Sequence, residues 1–238
     1  MKPSVIPTIV DPILTLLYPP KCAICKTLGA SILCERCLRS IVPVAAPVCD
    51  RCGQTLGDAR LCGHCTRRAP AFDCARAMGA HEGVLQIGIH LLKYRDRPAL
   101  AEPLGNALAD FARREAVALG NLAVDVVVPV PMHPARRRVR GYNQAERLAV
   151  VVARELGLPM STDLLIRRRN TRAQVGLAQE ARQQNLADAF APGRQSAAGM
   201  SILLIDDVST TGSSLHESAA ALKRTGAVSV YALTLAAG

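Results

Sequence analysis

Apolar residues downstream of about residue 68 follow two alternating patterns. Short unbroken apolar runs are typical of strands buried in a parallel sheet, and longer stretches with apolar residues at helical spacing predict helices. The predicted strands are 73–80 (an edge strand), 124–130, 164–166, 202–205 and 228–235. The predicted helices are 84–92, 100–119, about 142–156 and 177–186. This alternation favours an α/β fold with a mostly parallel sheet flanked by helices.

The helical spacing also predicts which residues of the first helix face the core. The expected core positions are Val84, Leu85, Ile87, Gly88, Leu91 and Leu92.

The stretch 202–214 joins a buried strand to a helix through polar residues. Two carboxylates, Asp206 and Asp207, end the strand, and hydroxyl side chains surround Gly212. The sequence Ser214-Leu215-His216-Glu217 resembles a capping box, which predicts that a helix starts there. Free backbone N–H groups and the helix dipole favour an anion in such a loop, and carboxylates bind sugar hydroxyls or hydrated Mg²⁺. The stretch therefore predicts a ligand that carries both a sugar and a phosphate.

All nine cysteines lie between Cys22 and Cys74, and eight of them form four C-x-x-C pairs. Two such pairs complete a tetrahedral zinc site. The spacing favours one site from the first two pairs and one from the last two, but an interleaved pairing would use the same ligands. The expected zinc ligands are Cys22, Cys25, Cys34, Cys37, Cys49, Cys52, Cys62 and Cys65. Four thiolates leave no open coordination position, so the zinc is expected to be structural and its binding to be part of folding.

Composition and charge narrow the setting of the protein. The 238 residues carry a net charge of +10, which favours anionic partners such as nucleotides, polyphosphate or nucleic acid. Regularly paired cysteines beside an α/β domain indicate metal binding in a reducing, cytoplasmic compartment. The apolar start of the chain, interrupted by Pro7, Asp11 and Pro12, is too short for a transmembrane segment and is expected to be an amphipathic arm. The predicted organisation is an arm at 1–20, a double zinc ribbon at 21–67 and an α/β domain at 68–238.

A basic segment follows the predicted strand 124–130. It contains Arg136, Arg137, Arg138 and Arg140, then Gly141. Guanidinium groups bind phosphate oxygens in pairs of hydrogen bonds, so this segment is a candidate loop for a diphosphate. A solvated basic loop or a nucleic-acid patch is the alternative for the first three arginines.

Residues 202–214 resemble the phosphoribosyl-diphosphate (PRPP) signature of type I phosphoribosyltransferases. The chain from about residue 20 to 238, cysteine pairs included, is similar to the ComF family of bacterial phosphoribosyltransferase-like proteins. Supporting residues outside the signature are Lys93, Tyr94, 128–131, 140–144, Thr171, Gln174, Leu177, Arg182 and Asn185. The resemblance implies a type I phosphoribosyltransferase-like sheet preceded by a double zinc ribbon.

The resemblance also implies roles for individual residues. Asp206 and Asp207 would hold the ribose 2′- and 3′-hydroxyls, and Arg140 would contact the diphosphate, which makes these three the candidate catalytic residues. The 5′-phosphate would be wrapped by Thr210, Thr211, Gly212, Ser213 and Ser214. Mg²⁺ would accompany PRPP. Lys93, by contrast, is interpreted as a cation that complements the C-terminal dipole of its helix.

Two functions follow from these expectations. The first is Mg²⁺-dependent transfer of phosphoribosyl from PRPP to a nitrogen acceptor, with release of pyrophosphate. The alternative is a competence protein that handles single-stranded DNA, with the DNA-uptake machinery as partner, and uses the PRPP fold as a sensor or scaffold without turnover. The aromatic content of 3% argues mildly against the alternative, because single-strand binding usually needs aromatic stacking platforms.

Overall fold

The structure, a computed structural model, describes residues 21–29, 31–94, 97–170 and 188–238. Three sets of sequence-based predictions lie outside these residues. They are the N-terminal arm, the helix at 177–186 and the family-matching positions Thr171, Gln174, Leu177, Arg182 and Asn185.

A four-stranded parallel sheet forms the centre of the molecule, which confirms the predicted fold class. The strands have the spatial order β1-β6-β5-β2. They are β1 (Cys74–Ala80), β2 (Val126–Pro129), β5 (Ser201–Ser209) and β6 (Ser229–Ala237). Strand β1 is at an edge of the sheet, as predicted. On the outer side of β2, Val127 forms an isolated parallel bridge with Met160. A separate antiparallel pair is formed by β3 (Leu165–Arg167) and β4 (Phe190–Pro192).

Helices and the small strand pair cover the sheet on both faces. The helices are α1 (Glu35–Arg39), α2 (Gly63–Arg67), α3 (Gly83–Tyr94), α4 (Ala101–Arg114), α5 (Pro134–Arg140), α6 (Gln144–Leu156) and α7 (Ser213–Lys223). Helices α3, α4 and α6 pack on the face that carries Leu203, Ile205 and Leu233. Helix α7 and the β3–β4 pair pack on the face that carries Ile202 and Leu204. Both faces of β5 are therefore buried, as its unbroken apolar run predicts.

The core face of α3 differs from the prediction at two positions. Ile87 is 45% exposed, whereas Ile89 is buried. The buried positions Leu85, Ile89 and Leu92 recur at intervals of four and three residues, so they share one side of the helix. Ile87 is two residues from Leu85, a rotation of about 200° for a helix of 3.6 residues per turn, and therefore faces away.

The cysteine-rich segment packs against the open edge of β1. Along this edge, the backbone N–H of Ala75 donates to the carbonyl of Arg51 at 2.7 Å, and that of Ala80 donates to Val42 at 2.9 Å. The approach is close enough to require glycine, because a Cβ on Gly79 would lie 2.5 Å from the Val42 carbonyl oxygen. The edge strand is thus covered by backbone from the segment that precedes it.

Of the helices in the described part of the chain, none has the length and the apolar composition that a bilayer crossing needs.

Candidate functional site

The eight paired cysteines form two four-thiol clusters among the described residues. The first contains Cys22, Cys25, Cys34 and Cys37, and the second contains Cys49, Cys52, Cys62 and Cys65. The pairing is therefore sequential, which decides between the two arrangements that the spacing left open. His64 belongs to neither cluster. Cys74, the unpaired ninth cysteine, is buried at the start of β1, where its thiol donates to the carbonyl of Asp50 at 3.4 Å.

The distances within the clusters suit zinc. A tetrahedral Zn²⁺ with bonds of about 2.3 Å to sulfur separates its ligand sulfurs by about 3.8 Å. The sulfurs of Cys22 and Cys37 are 3.8 Å apart, and those of Cys25 and Cys34 are 3.6 Å apart. In the second cluster, the backbone N–H groups of Cys62 and Cys65 point at thiol sulfurs at 3.4 Å, an arrangement that stabilises thiolates. Both clusters fit structural zinc.

Helix α7 begins at Ser213, one residue before the predicted capping residue Ser214. The capping-box prediction is therefore wrong. Gly212 has a φ of +71° and is the residue that precedes the first helical turn, so Ser214 is already inside α7. No capping bond from the side chain of the N-cap is available, because glycine has none. The hydroxyl of Thr211 lies 2.7 Å from that of Ser213 and accepts the Ser213 N–H at 3.4 Å. Small hydroxyl side chains and helix N–H groups therefore surround the start of α7, the arrangement that binds a phosphate. We call residues 209–214 the phosphate loop.

The two aspartates at the end of β5 differ in environment. Asp206 is half-buried, and Asp207 is 4% exposed. The Asp207 N–H donates to the Asp206 carboxylate at 2.9 Å. Burial and the adjacent charge of Asp207 nevertheless raise the pKa of Asp206 well above its usual range, because both disfavour a second negative charge. A ligand that supplies hydroxyl donors or a cation would relieve this penalty.

Lys93 is the site residue that sequence reasoning missed. Its ammonium group, at the end of α3, forms an ion pair with the buried carboxylate of Asp207. The interpretation of Lys93 as a dipole-complementing cation is therefore incomplete. Lys93 is 114 residues from Asp207 in the sequence, so no local pattern links them. The signal that pointed to Lys93 was its membership in a family-matching dipeptide with Tyr94.

The segment 140–144 ties the ends of three elements together around Lys93. The Tyr142 hydroxyl donates to the carbonyl of Leu92 in α3. The Asn143 amide donates to the carbonyl of Val130 after β2 at 3.0 Å, and its oxygen caps α6 by accepting the Ala145 N–H at 3.1 Å. These bonds fix the end of α3 against the end of β2. Lys93 is thereby held opposite the neighbouring strand β5.

Arg140 lies beside the same helix end. Its guanidinium stands 5.1 Å from the centre of the Tyr94 ring and donates to the Gln144 side chain at 2.6 Å. Stacking on an aromatic ring leaves the edge of a guanidinium available for anions. Arg140 therefore contacts Tyr94, the residue that follows Lys93 at the end of α3.

All four arginines of this segment belong to the helix α5, so the predicted loop is wrong. The His133 side chain accepts the Ala135 N–H at 3.2 Å at the start of α5, Pro134 is its first residue, and Gly141 ends it with a φ of +84°. Proline at the start and glycine after the end are helix signals that the sequence offered. Arg137 pairs with Glu146 at 3.1 Å.

Arg167 is a second basic residue whose charged surroundings only the fold creates. It stands over the Phe190 ring at 5.1 Å, at the end of β3. Burial and the charge of Arg136 lower its pKa, whereas the charge of Asp206 acts in the opposite direction. Arg167 thus lies within reach of the charges of both Arg136 and Asp206. Only the fold brings these three residues together, because they belong to β3, α5 and β5.

Comparison with known proteins agrees with this geometry. Residues 13–66 match the model of the double zinc ribbon domain, and residues 143–238 match the model of the phosphoribosyl transferase domain. The first match contains both cysteine clusters. The second contains β5, the phosphate loop and α7.

Two curated relatives cover most of the chain. Competence protein F of Haemophilus influenzae is 32% identical over 211 residues, which are 86% of this chain and 90% of that protein. The DNA utilization protein YhgH of Salmonella typhi is 30% identical over 219 residues, 90% of this chain and 96% of that protein. Among solved structures, the glutamine PRPP amidotransferase of B. subtilis aligns with 61% of this chain and 30% of its own, at 19% identity and a TM-score of 0.40. From its relatives and its two matched domains, the chain belongs to the ComF family of phosphoribosyltransferase-like proteins with an N-terminal double zinc ribbon.

Proposed function

We propose that the protein binds PRPP with Mg²⁺ and transfers its phosphoribosyl group to a nitrogen acceptor, releasing pyrophosphate. The observation that carries this proposal is the connection from β5 to α7, where two aspartates are followed by the phosphate loop at the start of an 11-residue helix. Carboxylates and a helix N-terminus in this order match a ligand with a sugar diol and a phosphate.

Each group of the proposed ligand has a partner. The 5′-phosphate would bind to residues 210–214, where Gly212 lets the backbone approach closely. The ribose hydroxyls would donate to Asp206 and Asp207. Lys93 supports this assignment, because its ion pair fixes the position of the Asp207 side chain that would accept such hydrogen bonds.

The donor set near the loop fits Mg²⁺. This ion keeps several waters and is usually bound by one or two carboxylates together with substrate phosphates. Asp206 is the half-buried carboxylate of the pair, and its raised pKa reflects a site where a cation would be favourable. When bound, Mg²⁺ neutralises part of the diphosphate charge.

In the proposed reaction, a nitrogen nucleophile forms a bond to ribose C1 as the bond from C1 to the pyrophosphate oxygen breaks. The chain positions the ribose through the aspartates and the phosphate loop, which converts a bimolecular encounter into an oriented one. Arg140 would stabilise the negative charge that develops on the departing pyrophosphate.

A thermal-shift experiment tests the ribose site. PRPP with Mg²⁺ should raise the Tm of the zinc-loaded protein, and the double substitution Asp206→Asn and Asp207→Asn should abolish the shift. A matched control replaces two exposed aspartates, Asp58 and Asp110, and should keep it. An unchanged shift in the first variant would overturn the assignment.

Turnover needs its own measurement. Pyrophosphate release from PRPP is followed while nucleobases and amines are offered one at a time. Release that depends on one acceptor and is lost on replacing Arg140 with Gln supports catalysis. If PRPP binds but no acceptor causes release of pyrophosphate, the protein would act as a PRPP sensor rather than as a transferase.

We also propose, as a second candidate, a role in handling single-stranded DNA. Its support is the net charge of +10 and the names of the relatives, a competence protein and a DNA utilization protein. Binding of an unrelated single-stranded oligonucleotide should then weaken steeply as the salt concentration rises. Absence of binding at 50 mM salt would argue against it.

A further inference from the structure

A cavity of about 1150 Å³ lies beside the phosphate loop, between the second cysteine cluster and the start of α7. The cysteine-rich segment contributes one side, with 42–45, His64 and Arg68. The other side consists of loop residues 209–213 with His216 and Glu217. Asp206, Asp207 and Lys93 are not among its described lining residues. The cavity therefore lies beside the proposed ribose site and shares residues 210–213 with the proposed 5′-phosphate site.

Arg68 on one side of the cavity and His216 on the other both line the same space. The half-buried ring of His216 accepts the Ala71 N–H on Nδ1 at 3.0 Å, so its neutral form carries the proton on Nε2. Burial lowers the pKa of His216, and the positive charge of Arg68 adds to this effect. Glu217, whose carboxylate lies 4.0 Å from Nε2, opposes it. The electric field of the zinc-ribbon side thus reaches His216. An anion between these groups would be attracted by Arg68 and could accept a hydrogen bond from His216.

Two acidic side chains also line the cavity, Glu82 and Glu217, the latter beside His216. An anion therefore depends on Arg68 to outweigh them. Arg76, also in the lining, is paired with Glu115 at 3.3 Å. Arg68 is exposed, so it can turn toward a ligand.

Part of the remaining lining is apolar. Residues 42–45, Phe72 and Leu215 supply aliphatic and aromatic surface. The cavity volume slightly exceeds the range of about 300–1,000 Å³ that is usual for sites of small organic ligands, and it far exceeds what one phosphate needs. A ligand with an anionic group and an apolar body would match both the basic and the apolar residues of the lining.

We propose that this cavity is a second binding site, for an organic monophosphate whose anionic head lies between Arg68 and His216 and whose apolar body lies against residues 42–45. This site requires neither PRPP binding nor turnover. Its ligand is recognised jointly by the zinc ribbon and by α7, so the ribbon completes a small-molecule site.

Phenyl phosphate is a suitable probe, because it has a phosphate and an apolar ring but no ribose hydroxyls. We expect isothermal titration of the zinc-loaded protein to show binding that is tighter than that of inorganic phosphate. Arg68→Gln should weaken the binding at least about tenfold, the loss expected for a charge-assisted hydrogen bond. Arg67→Gln, at the neighbouring exposed position, is the matched control and should leave the affinity unchanged.

Two further measurements separate this proposal from the PRPP site. The variant with Asp206→Asn and Asp207→Asn should still bind phenyl phosphate, and Arg68→Gln should keep the thermal shift with PRPP. The ring signals of His216 in NMR spectra should move during titration with phenyl phosphate. Equal affinities in the Arg67 and Arg68 variants, unmoved His216 signals, or no binding at millimolar concentrations would each overturn the proposal.

Discussion

The two cysteine clusters and the site around the phosphate loop are assembled in opposite ways. Each cluster draws its four ligands from a span of 17 residues or fewer, and within it the spacing of the C-x-x-C pairs identifies the ligands. The site around Asp207 joins Lys93 at the end of α3 to the end of β5, and Arg140 from α5 stands over the ring of Tyr94, the neighbour of Lys93; these elements are distant in sequence. A local arrangement can be predicted from spacing, whereas a distributed one requires the strand order first. The same contrast predicts which substitutions affect only their own segment and which affect several elements of the fold.

Loss of a zinc ligand should have the largest effect. Cys62→Ser is expected to reduce the zinc content from about two ions per chain to about one, because structural zinc contributes on the order of 10 kcal/mol to a small ribbon. Hydrogen exchange should increase in residues 42–68 and along the covered edge of β1.

Cys74→Ser is the control for this prediction, since Cys74 is buried but outside both clusters. It should keep both zinc ions. Full zinc content in the Cys62 variant would contradict the assignment of the second cluster.

Removal of the Lys93 cation should have the second-largest effect on stability. Lys93→Met leaves the Asp207 carboxylate buried without its partner and should lower the free energy of unfolding by about 3–5 kcal/mol. The comparison variant Lys223→Met breaks the more exposed pair with Asp73, at 2.9 Å, and should cost no more than about 1 kcal/mol. Urea unfolding measures both.

A second substitution sharpens this test. Lys93→Met combined with Asp207→Asn removes both charges and should recover much of the lost stability, which a double-mutant cycle reports as coupling. Purely additive losses would show that the ion pair is not what Lys93 contributes.

A local packing change should have an intermediate effect. Gly79→Ala places a methyl group 2.5 Å from the Val42 carbonyl oxygen and should cost about 1–3 kcal/mol. Gly57→Ala, where a Cβ meets nothing within 4 Å, should be nearly neutral. Equal Tm values for the two variants would show that the cysteine-rich segment can shift away from β1 without loss.

The smallest effect should be a gain. Because the folded state raises the pKa of Asp206, it favours the protonated form; the folded state is therefore stabilised below the unfolded pKa, and this contribution is lost as the pH rises through the folded pKa. Asp206→Asn should accordingly raise the Tm of the ligand-free protein by a few degrees at pH 7, and the difference from the unsubstituted protein should shrink toward pH 3. A Tm difference that does not change with pH would contradict the sign of this effect.

Sequence patterns predicted the parallel sheet, the edge position of β1 and the cysteine ligands, because each depends on neighbours in the chain. They failed where distant elements decide: Lys93 acquires its partner only when α3 packs beside β5, and Arg167 approaches the field of Asp206 only through β3. Helix α5 was missed for a different reason. Pro134 and Gly141 are sequence signals for its two ends, but the run of arginines between them was interpreted as a loop. The division of the chain at residues 20 and 67, and the ligand roles of Asp206, Asp207, Arg140 and residues 210–214, stay predictions.

The backbone bonds from Ala75 and Ala80 to the cysteine-rich segment have a practical consequence for truncation. A shortened chain that begins at β1 would leave these N–H groups unpaired on a parallel sheet edge, ready to pair with a strand of another molecule. The ribbon thus acts as a cap against self-association, and a shortened protein should aggregate before any loss of ligand binding can be measured.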